Sequence, residues 1–444
     1  MFTDPSPNGR QDGVCACGRL HPRATRHITG RGVLVELPGA AAGIGFGKAL
    51  VVSDLITSRV AGDRAASLLA GAGFPVRHLI LPQEEPHADE ASLQAVRAVV
   101  VEEPELRLMV SAGAGTITDI VRLAAHGAGL PFVAVATAAS MDGYASTVVP
   151  FLSRGFKETV PAVPPAAVLA DLDILTTAPA AMTLAGFGDL VGKLTARADW
   201  VLSHLLTGEY YCAATADLAV AALQRARSGL AGLAAGDMDA LAALSDGLLL
   251  SGLAMQMIGN SRPASGSEHH LAHFWEERAL HGGAAASPHG ARVGVAAVLV
   301  AGVARRLAGL ARKDLADRLS SSHVTPAYLD GLDRAYGPLA PLIRAKGEEE
   351  RNKPALLCLE RWDEARAALA ELAPEPAHVR MLLRAAGAPA DPAEIGLTRG
   401  DVLDGLMYAH EMRPRFTVLA LAARLGLLPA WAEQIAEESF RPGA

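Results

Sequence analysis

The segment "GSEHHLAHFWE", Gly266–Glu276, sets three histidines and two acids in eleven residues. His269 and His273 stand four apart and share one face of a helix, while His270 is turned away by about 100°. Imidazole is the commonest metal ligand and a ready proton carrier. "SPHGARVGVA" (Ser287–Ala296) adds His289 ahead of an apolar helix, and "GFGDLVGKLTARADW" (Gly186–Trp200) adds Asp189 at the start of another. Asp189, His269 and His289 would supply one carboxylate and two imidazoles, a three-ligand set that leaves a position open, as catalytic divalent-metal sites do. The plainer alternative is a histidine-rich solvated helix and a first-turn Asp that favours the helix dipole. Separation along the chain leaves both readings open.

Other segments have chemical and plain readings side by side. "VSAGAGTITD" (Val110–Asp119) runs from a strand through Gly113-Ala114-Gly115 to Thr116, which opens a helix. Glycines admit a ligand close to the backbone and a helix start offers N–H groups to phosphate. It is not the GxGxxG fingerprint, and an ordinary strand–helix turn fits equally well. Asp54 ends the first strong strand, placed for an adenosine ribose or for a helix N-cap. "ATAASMDGYAS" (Ala136–Ser146) contains Asp142, in a capped turn or in a loop facing cofactor and substrate. Arg262, just before the histidine helix, is either a phosphate clamp or a surface arginine. "CACGRLH" brings Cys15, Cys17 and His21 together, one ligand short of a closed structural zinc site, and a reduced, locally packed loop is the preferred reading.

These residues need a scaffold, and the hydrophobic pattern supplies one. Buried strands are expected at Ala49–Asp54, Val76–Leu81, Leu106–Ala112, Phe132–Thr137 and Ala167–Leu175, with helices between them. Continuous apolar strands alternating with helices imply a parallel sheet covered on both faces. After about Pro179 the pattern is almost wholly helical. The expected architecture is an N-terminal extension (1–26), an α/β dinucleotide-binding domain (27–180) and an all-α domain (181–444).

Composition bounds the function. The 444 residues are half hydrophobic and one-fifth charged, so the chain is globular, and a net charge of −7 argues against nucleic acid or an anionic membrane as partner. Four cysteines do not make a secreted disulfide framework. The polar start "MFTDPSPNGRQDG" lacks the apolar core of a signal peptide, and the apolar run Val293–Val303 is too short to span a bilayer. A cytoplasmic protein without membrane insertion is expected.

Taken in order, "GAGTITD", "TAASMDGYAS", "VPAVPPAAVLADLDIL", "GFGDLVGKLTARADW", "SRPASGSEHHLAHFWE" and "HGARVGVA" resemble the sn-glycerol-1-phosphate dehydrogenase family, within the wider group of iron-type alcohol dehydrogenases, glycerol dehydrogenase and dehydroquinate synthase. "ASMDGYAS" together with "SRPASGSEH" favours the glycerol-1-phosphate branch. The resemblance implies a dehydroquinate synthase-like fold, NAD(P)H as cofactor, one divalent metal (zinc or nickel), a small phosphorylated substrate and a homo-oligomer of two or more chains. It places the pyrophosphate at Gly113, Gly115 and Thr116, further cofactor contacts at Asp54, Asp119, Thr137, Ser140, Ser146 and Lys157, and the metal on Asp189, His269 and His289. Asp142 and His273 fall on the substrate side, with His273 as a proton relay beside the metal. Two His-Gly pairs, at His281 and His289, compete for the last ligand; His289 is chosen because "HGARVGVA" continues into the family-like helix. The runner-up is another metal- and NAD-dependent reaction on this fold, on a different polyol or forming a carbocycle; a non-catalytic nucleotide-binding protein is the reading from another class.

Overall fold

The computed structural model describes residues 14–22, 24–283, 286–319, 324–352 and 358–441. The first thirteen residues, on which the leader reading rests, lie outside the described residues, as do Ala284 and Ala285 of the stretch before His289. The chain forms two compact units, Met1–Gly186 with Asp217–Ser261, and Phe187–Ala216 with Arg262–Ala444.

The first unit is built on a six-stranded sheet. Its strands are β1 (Arg26–Gly30), β2 (Lys48–Ser53), β3 (Val76–Ile80), β4 (Leu106–Gly113), β5 (Phe132–Ala136) and β8 (Ala167–Asp171), and β6 (Val148–Ser153) with β7 (Phe156–Pro161) forms a separate hairpin. The sheet order is β1-β8-β5-β4-β2-β3, and every pairing in it is parallel. Central strands β4 and β5 are buried almost throughout, which their continuous apolar sequence requires. The expected strand Ala167–Leu175 ends earlier, because the Asp171 carboxylate accepts from the Asp173 amide and caps a short helix, Leu172–Leu175. The same carboxylate takes the Gly32 and Leu34 amides at 2.9 Å and so ties down the turn after β1. The expected helix after Asp54 contains a widened π turn at Ser58–Gly62, where a side chain on Gly62 would meet Ser53 Oγ and His78 Nε2 at 3.0 Å.

Helices α1 (Glu90–Glu102) and α2 (Gly115–Ala128) join successive strands. The β6–β7 hairpin turns through Arg154 and Gly155, both at positive φ, the conformation of a two-residue hairpin turn. Asp217–Ser261 belongs with the sheet unit and not with the later helices. The sequence gives no sign of this return, because its Ala/Leu periodicity matches that of the other helices. Helix α3 (Ala180–Val191) carries the chain from one unit to the other. Helix α5 (Met238–Ile258), long and apolar enough to cross a membrane by length and composition, has 78% of its apolar window buried inside the protein, as a core helix does.

The second unit is helical. It includes α4 (Lys193–Thr207), α6 (Ser267–His281) and α7 (His289–Ala308). Sixteen of the twenty residues of α7 are buried, so the apolar run Val293–Val303 is the centre of a helical core. Glycines let these helices meet backbone to backbone: a side chain on Gly188 would lie 2.3 Å from Gly290 O, and one on Gly192 would meet Val293 and Glu268. That close approach of α3 to α7 puts Asp189 beside His289.

Candidate metal centre and cofactor site

In the second unit, one ligand atom each from Asp189, His269 and His289 lies within 4.8 Å of the others. Asp189 comes from α3, His269 from the first turn of α6 and His289 from the first residue of α7. His269 Nε2 is 3.6 Å from Asp189 Oδ1, and the His269 and His289 ring centres are 5.4 Å apart. One oxygen and two nitrogens at this spacing fit a divalent cation with an open position. Asp189 Oδ1 also accepts from the buried Lys193 ammonium at 2.8 Å, and Lys193 donates to Ala264 O at 3.1 Å. A carboxylate offers lone pairs enough for both a lysine and a metal.

What orients His269 escapes a reading by helical period. Its Nδ1 faces Glu268 Oε1 at 2.9 Å, although adjacent residues normally point apart on a helix. Glu268 is fully buried and also accepts from Thr195 Oγ1 (2.7 Å) and the Gly266 amide (2.5 Å). Burial alone would raise this carboxyl, but the His269 imidazole and the other donors hold it below the ordinary range. A carboxylate behind a ligating imidazole is the arrangement that fixes tautomer and ring orientation at metal centres. Asp199 in turn fixes the start of α6, accepting from the Ser267 amide at 2.6 Å, and burial together with Glu268 raises its carboxyl to about 6. Neither Glu268 nor Asp199 is singled out by the sequence reading; the signal available was an acid directly before the first histidine.

His273 lies one turn along the same face. Its ring is stacked on His289 with centres 5.2 Å apart, and its Nδ1 faces Glu276 Oε2 at 3.3 Å. Glu276 is itself paired with Arg292 at 3.2 Å. His273, Glu276 and His289 also meet the spacing of a metal-binding group, so His289 belongs to two overlapping sets. We favour the Asp189 set because Asp189 and His269 are both buried and Glu268 orients the ring. His281, the competing histidine, is exposed at the last position of α6.

Arg262 departs from the phosphate-clamp expectation. It is 2% exposed, its Nε and Nη2 form a fork on Glu209 at 2.7–3.1 Å, and Nη2 also donates to Phe416 O. A guanidinium committed in this way serves the packing of the helical unit.

The first unit holds the remaining sequence-derived residues. Gly113 leaves room for Ile117, whose Cβ would be 2.5 Å from a side chain there, and Gly115 lies against Met141. No side chain caps the start of α2 among the described residues, so its first amides are presented by backbone alone. Thr137 donates its amide to Gly113 O at 3.3 Å, which sets the end of β5 beside this turn. Asp142 Oδ2 accepts from Ser251 Oγ at 2.7 Å, and Gly252 allows α5 to approach: a side chain there would lie 2.7 Å from Asp142 O.

Asp119 pairs with Arg122 at 2.8 Å, and burial pushes its carboxyl up to about 6 against the pull of Arg122 and Lys157. Arg122 donates to the carbonyls of Gly143, Tyr144 and Val148, so this pair holds the Asp142 loop in shape. Ser146 exchanges hydrogen bonds with the Val148 backbone. Ser140 and Lys157 are half-buried. Asp54 caps the helix that follows, its Oδ1 accepting from the Ile56 and Thr57 amides at 2.9 and 2.7 Å. The structure therefore gives Asp54, Asp119 and Ser146 local structural bonds, and brings Gly113, Gly115, Thr116 and Thr137 together at one turn.

In fold the chain is similar to an iron-containing alcohol dehydrogenase of Corynebacterium glutamicum, over 91% of this chain and 96% of that one, with a TM-score of 0.61 at 16% identity. The family model of that description matches residues 28–179. The solved structure of a probable glycerol dehydrogenase from Sinorhizobium meliloti is similar over 92% of this chain and 97% of that one, with a TM-score of 0.60 at 17% identity, a likeness of fold. Within the class the sequence is more specific. A glycerol-1-phosphate dehydrogenase (NAD(P)+) of Bacillus licheniformis is 34% identical over 422 residues, covering 94% of each chain. Its counterpart in Halalkalibacterium halodurans is 33% identical over 410 residues, covering 91% of this chain and 94% of the other. The chain belongs to the glycerol-1-phosphate dehydrogenase family.

Proposed function

We propose that this protein is a metal-dependent NAD(P)H oxidoreductase that interconverts dihydroxyacetone phosphate and sn-glycerol 1-phosphate. The carrying observation is the convergence of Asp189, His269 and His289 within 4.8 Å in a chain whose relatives bear that name. These three would hold a divalent cation, zinc or nickel, which would supply Lewis acidity toward the C2 oxygen. NAD(P)H, when bound, would supply the hydride, and the chain must deliver a proton to the C2 oxygen.

The chain's own residues do the rest. The uncapped start of α2, with Gly113, Gly115 and Thr116, holds the cofactor pyrophosphate through backbone amides. Asp54, Asp119, Thr137, Ser140, Ser146 and Lys157 shape the remainder of that site, Asp119 and Ser146 through the loop they brace. Asp142, held by Ser251, accepts a hydrogen bond from a substrate hydroxyl. His273, whose Nδ1 faces Glu276 Oε2, gives the proton to the C2 oxygen. Arg262 has no part in this reading of substrate binding. The enzyme works in the cytoplasm on a small phosphorylated substrate, as a dimer or larger homo-oligomer.

The test is loss of NADH or NADPH absorbance on adding dihydroxyacetone phosphate, with and without chelator and with zinc or nickel restored. Turnover that needs both metal and the phosphate is expected. Absence of phosphate-dependent turnover with every metal would turn the assignment to another polyol or to a carbocycle-forming reaction.

A further inference from the structure

The segment Cys15–His21 contributes no residue to the Asp189, His269 and His289 group. It forms a tight turn: the Gly18 amide donates to Cys15 O at 2.8 Å and the Cys15 amide to Arg19 O at 2.9 Å. Gly18 sits at φ +82°, a conformation that suits glycine. The turn folds the chain back so that one ligand atom each from Cys15, Cys17 and His21 lies within 4.8 Å of the others. All three residues are half-buried, and no disulfide joins cysteines among the described residues.

The imidazole is oriented as a ligand would be. His21 Nδ1 is 2.8 Å from Met257 O, and a carbonyl can only accept, so Nδ1 carries the proton. That leaves the Nε2 lone pair directed at Cys17 Sγ, 3.1 Å away. A ring N–H anchored on a backbone carbonyl, with the opposite nitrogen facing sulfur, is the outer support found behind metal-bound histidines. A plainly packed loop has no need of two sulfurs and an oriented imidazole at one point.

We propose that Cys15, Cys17 and His21 bind a structural zinc ion, a site made of different residues and softer donors than the Asp189 centre. Two thiolates and an imidazole suit zinc, which takes a fourth donor to complete a tetrahedron. A water molecule can complete the set. The ion clips residues 15–21 to the end of α5. The same end is tied to the next residues by the Ala24 amide on Gln256 Oε1 (2.7 Å) and by Gln256 Nε2 on Thr25 Oγ1 (2.8 Å). One turn earlier on α5 stands Ser251, which holds Asp142.

The full-length holoprotein tests this by metal analysis. Mild chelation is expected to remove the metal of the Asp189 centre and leave one zinc per chain, released only when the thiols are modified by a mercurial. Cys17→Ser and His21→Ala are each expected to lose that zinc and keep the other metal, while His269→Ala does the reverse. Cobalt reconstitution of the unmutated protein gives a readout free of folding effects: sulfur-to-cobalt charge-transfer absorption in the near ultraviolet is expected, and is retained in His269→Ala. Equal zinc in Cys17→Ser and the parent, or cobalt binding without sulfur absorption in the parent, would overturn the proposal. Loss of turnover in His269→Ala bears on the oxidoreductase reading alone.

Discussion

Helix α6 carries His269 and His270 side by side, and its two faces give them opposite surroundings. His269 looks onto carboxylates, Glu268 at 2.9 Å and Asp189 at 3.6 Å, with the His273 and His289 rings beyond. His270 is fully buried, with no hydrogen-bond partner for either ring nitrogen among the described residues. Burial first, and then the positive charges of Arg413, Arg415, Arg262 and His410, hold it well below the ordinary imidazole range. The acidic face attracts a cation and the basic face repels one. Residue type alone says nothing of this; the difference lies in the neighbours of His269, Glu268 on α6 itself, Asp189 from α3 and His289 from α7.

The largest effect that tests the contrast comes from the ligands. Asp189→Ala, His269→Ala and His289→Ala are each expected to abolish turnover and the metal of this centre while the dinucleotide-binding unit stays folded, as checked by metal analysis and NADH binding. Metal-free protein that turns over at the full rate would break the comparison. Next comes His273→Ala, expected to lower kcat by about 10²–10⁴-fold, the range for a lost proton donor, with metal retained. Loss of the metal instead would hand the ligand role to the His273, Glu276 and His289 set.

A smaller effect belongs to the support behind the ligand. Glu268→Gln keeps the volume and removes the charge that orients His269, and is expected to weaken metal affinity by about 10–100-fold. Competition with a calibrated chelator measures it. An unchanged affinity would mean that the helix backbone alone positions the ring.

The sheet was legible because buried parallel strands are long apolar runs, and Leu106–Gly113 and Phe132–Ala136 lie within about a residue of the expected positions. β1 and the β6–β7 hairpin were not, because RHITG is short and polar and the hairpin is interrupted by Pro150. The interleaving of Asp217–Ser261 with the sheet unit depends on which apolar face packs where, which periodicity does not encode. At the site, the three proposed ligands were reachable through resemblance to a family, and the structure adds what holds these side chains: Glu268, Lys193 and the glycine contact between Gly188 and Gly290. Arg262 shows the opposite limit. A cation next to a candidate site reads as an anion clamp until its partner, here Glu209 some fifty residues away, is in view.

The smallest expected effect sharpens the contrast most, because it substitutes the neighbouring histidine. His270→Leu replaces a neutral, unpaired imidazole by an apolar side chain of similar size. An unpaired buried polar group costs free energy, so removing it is nearly neutral or stabilising, within about 1 kcal/mol. Metal content and kcat are expected to stay at parental values, with thermal unfolding unchanged or slightly raised. Two of the surrounding arginines retain their own acceptors, Arg262 on Glu209 and Arg415 on Ser265 O. A large loss of activity with metal retained would show that the basic face of α6 also handles the anionic substrate, and the two faces would then be halves of one site.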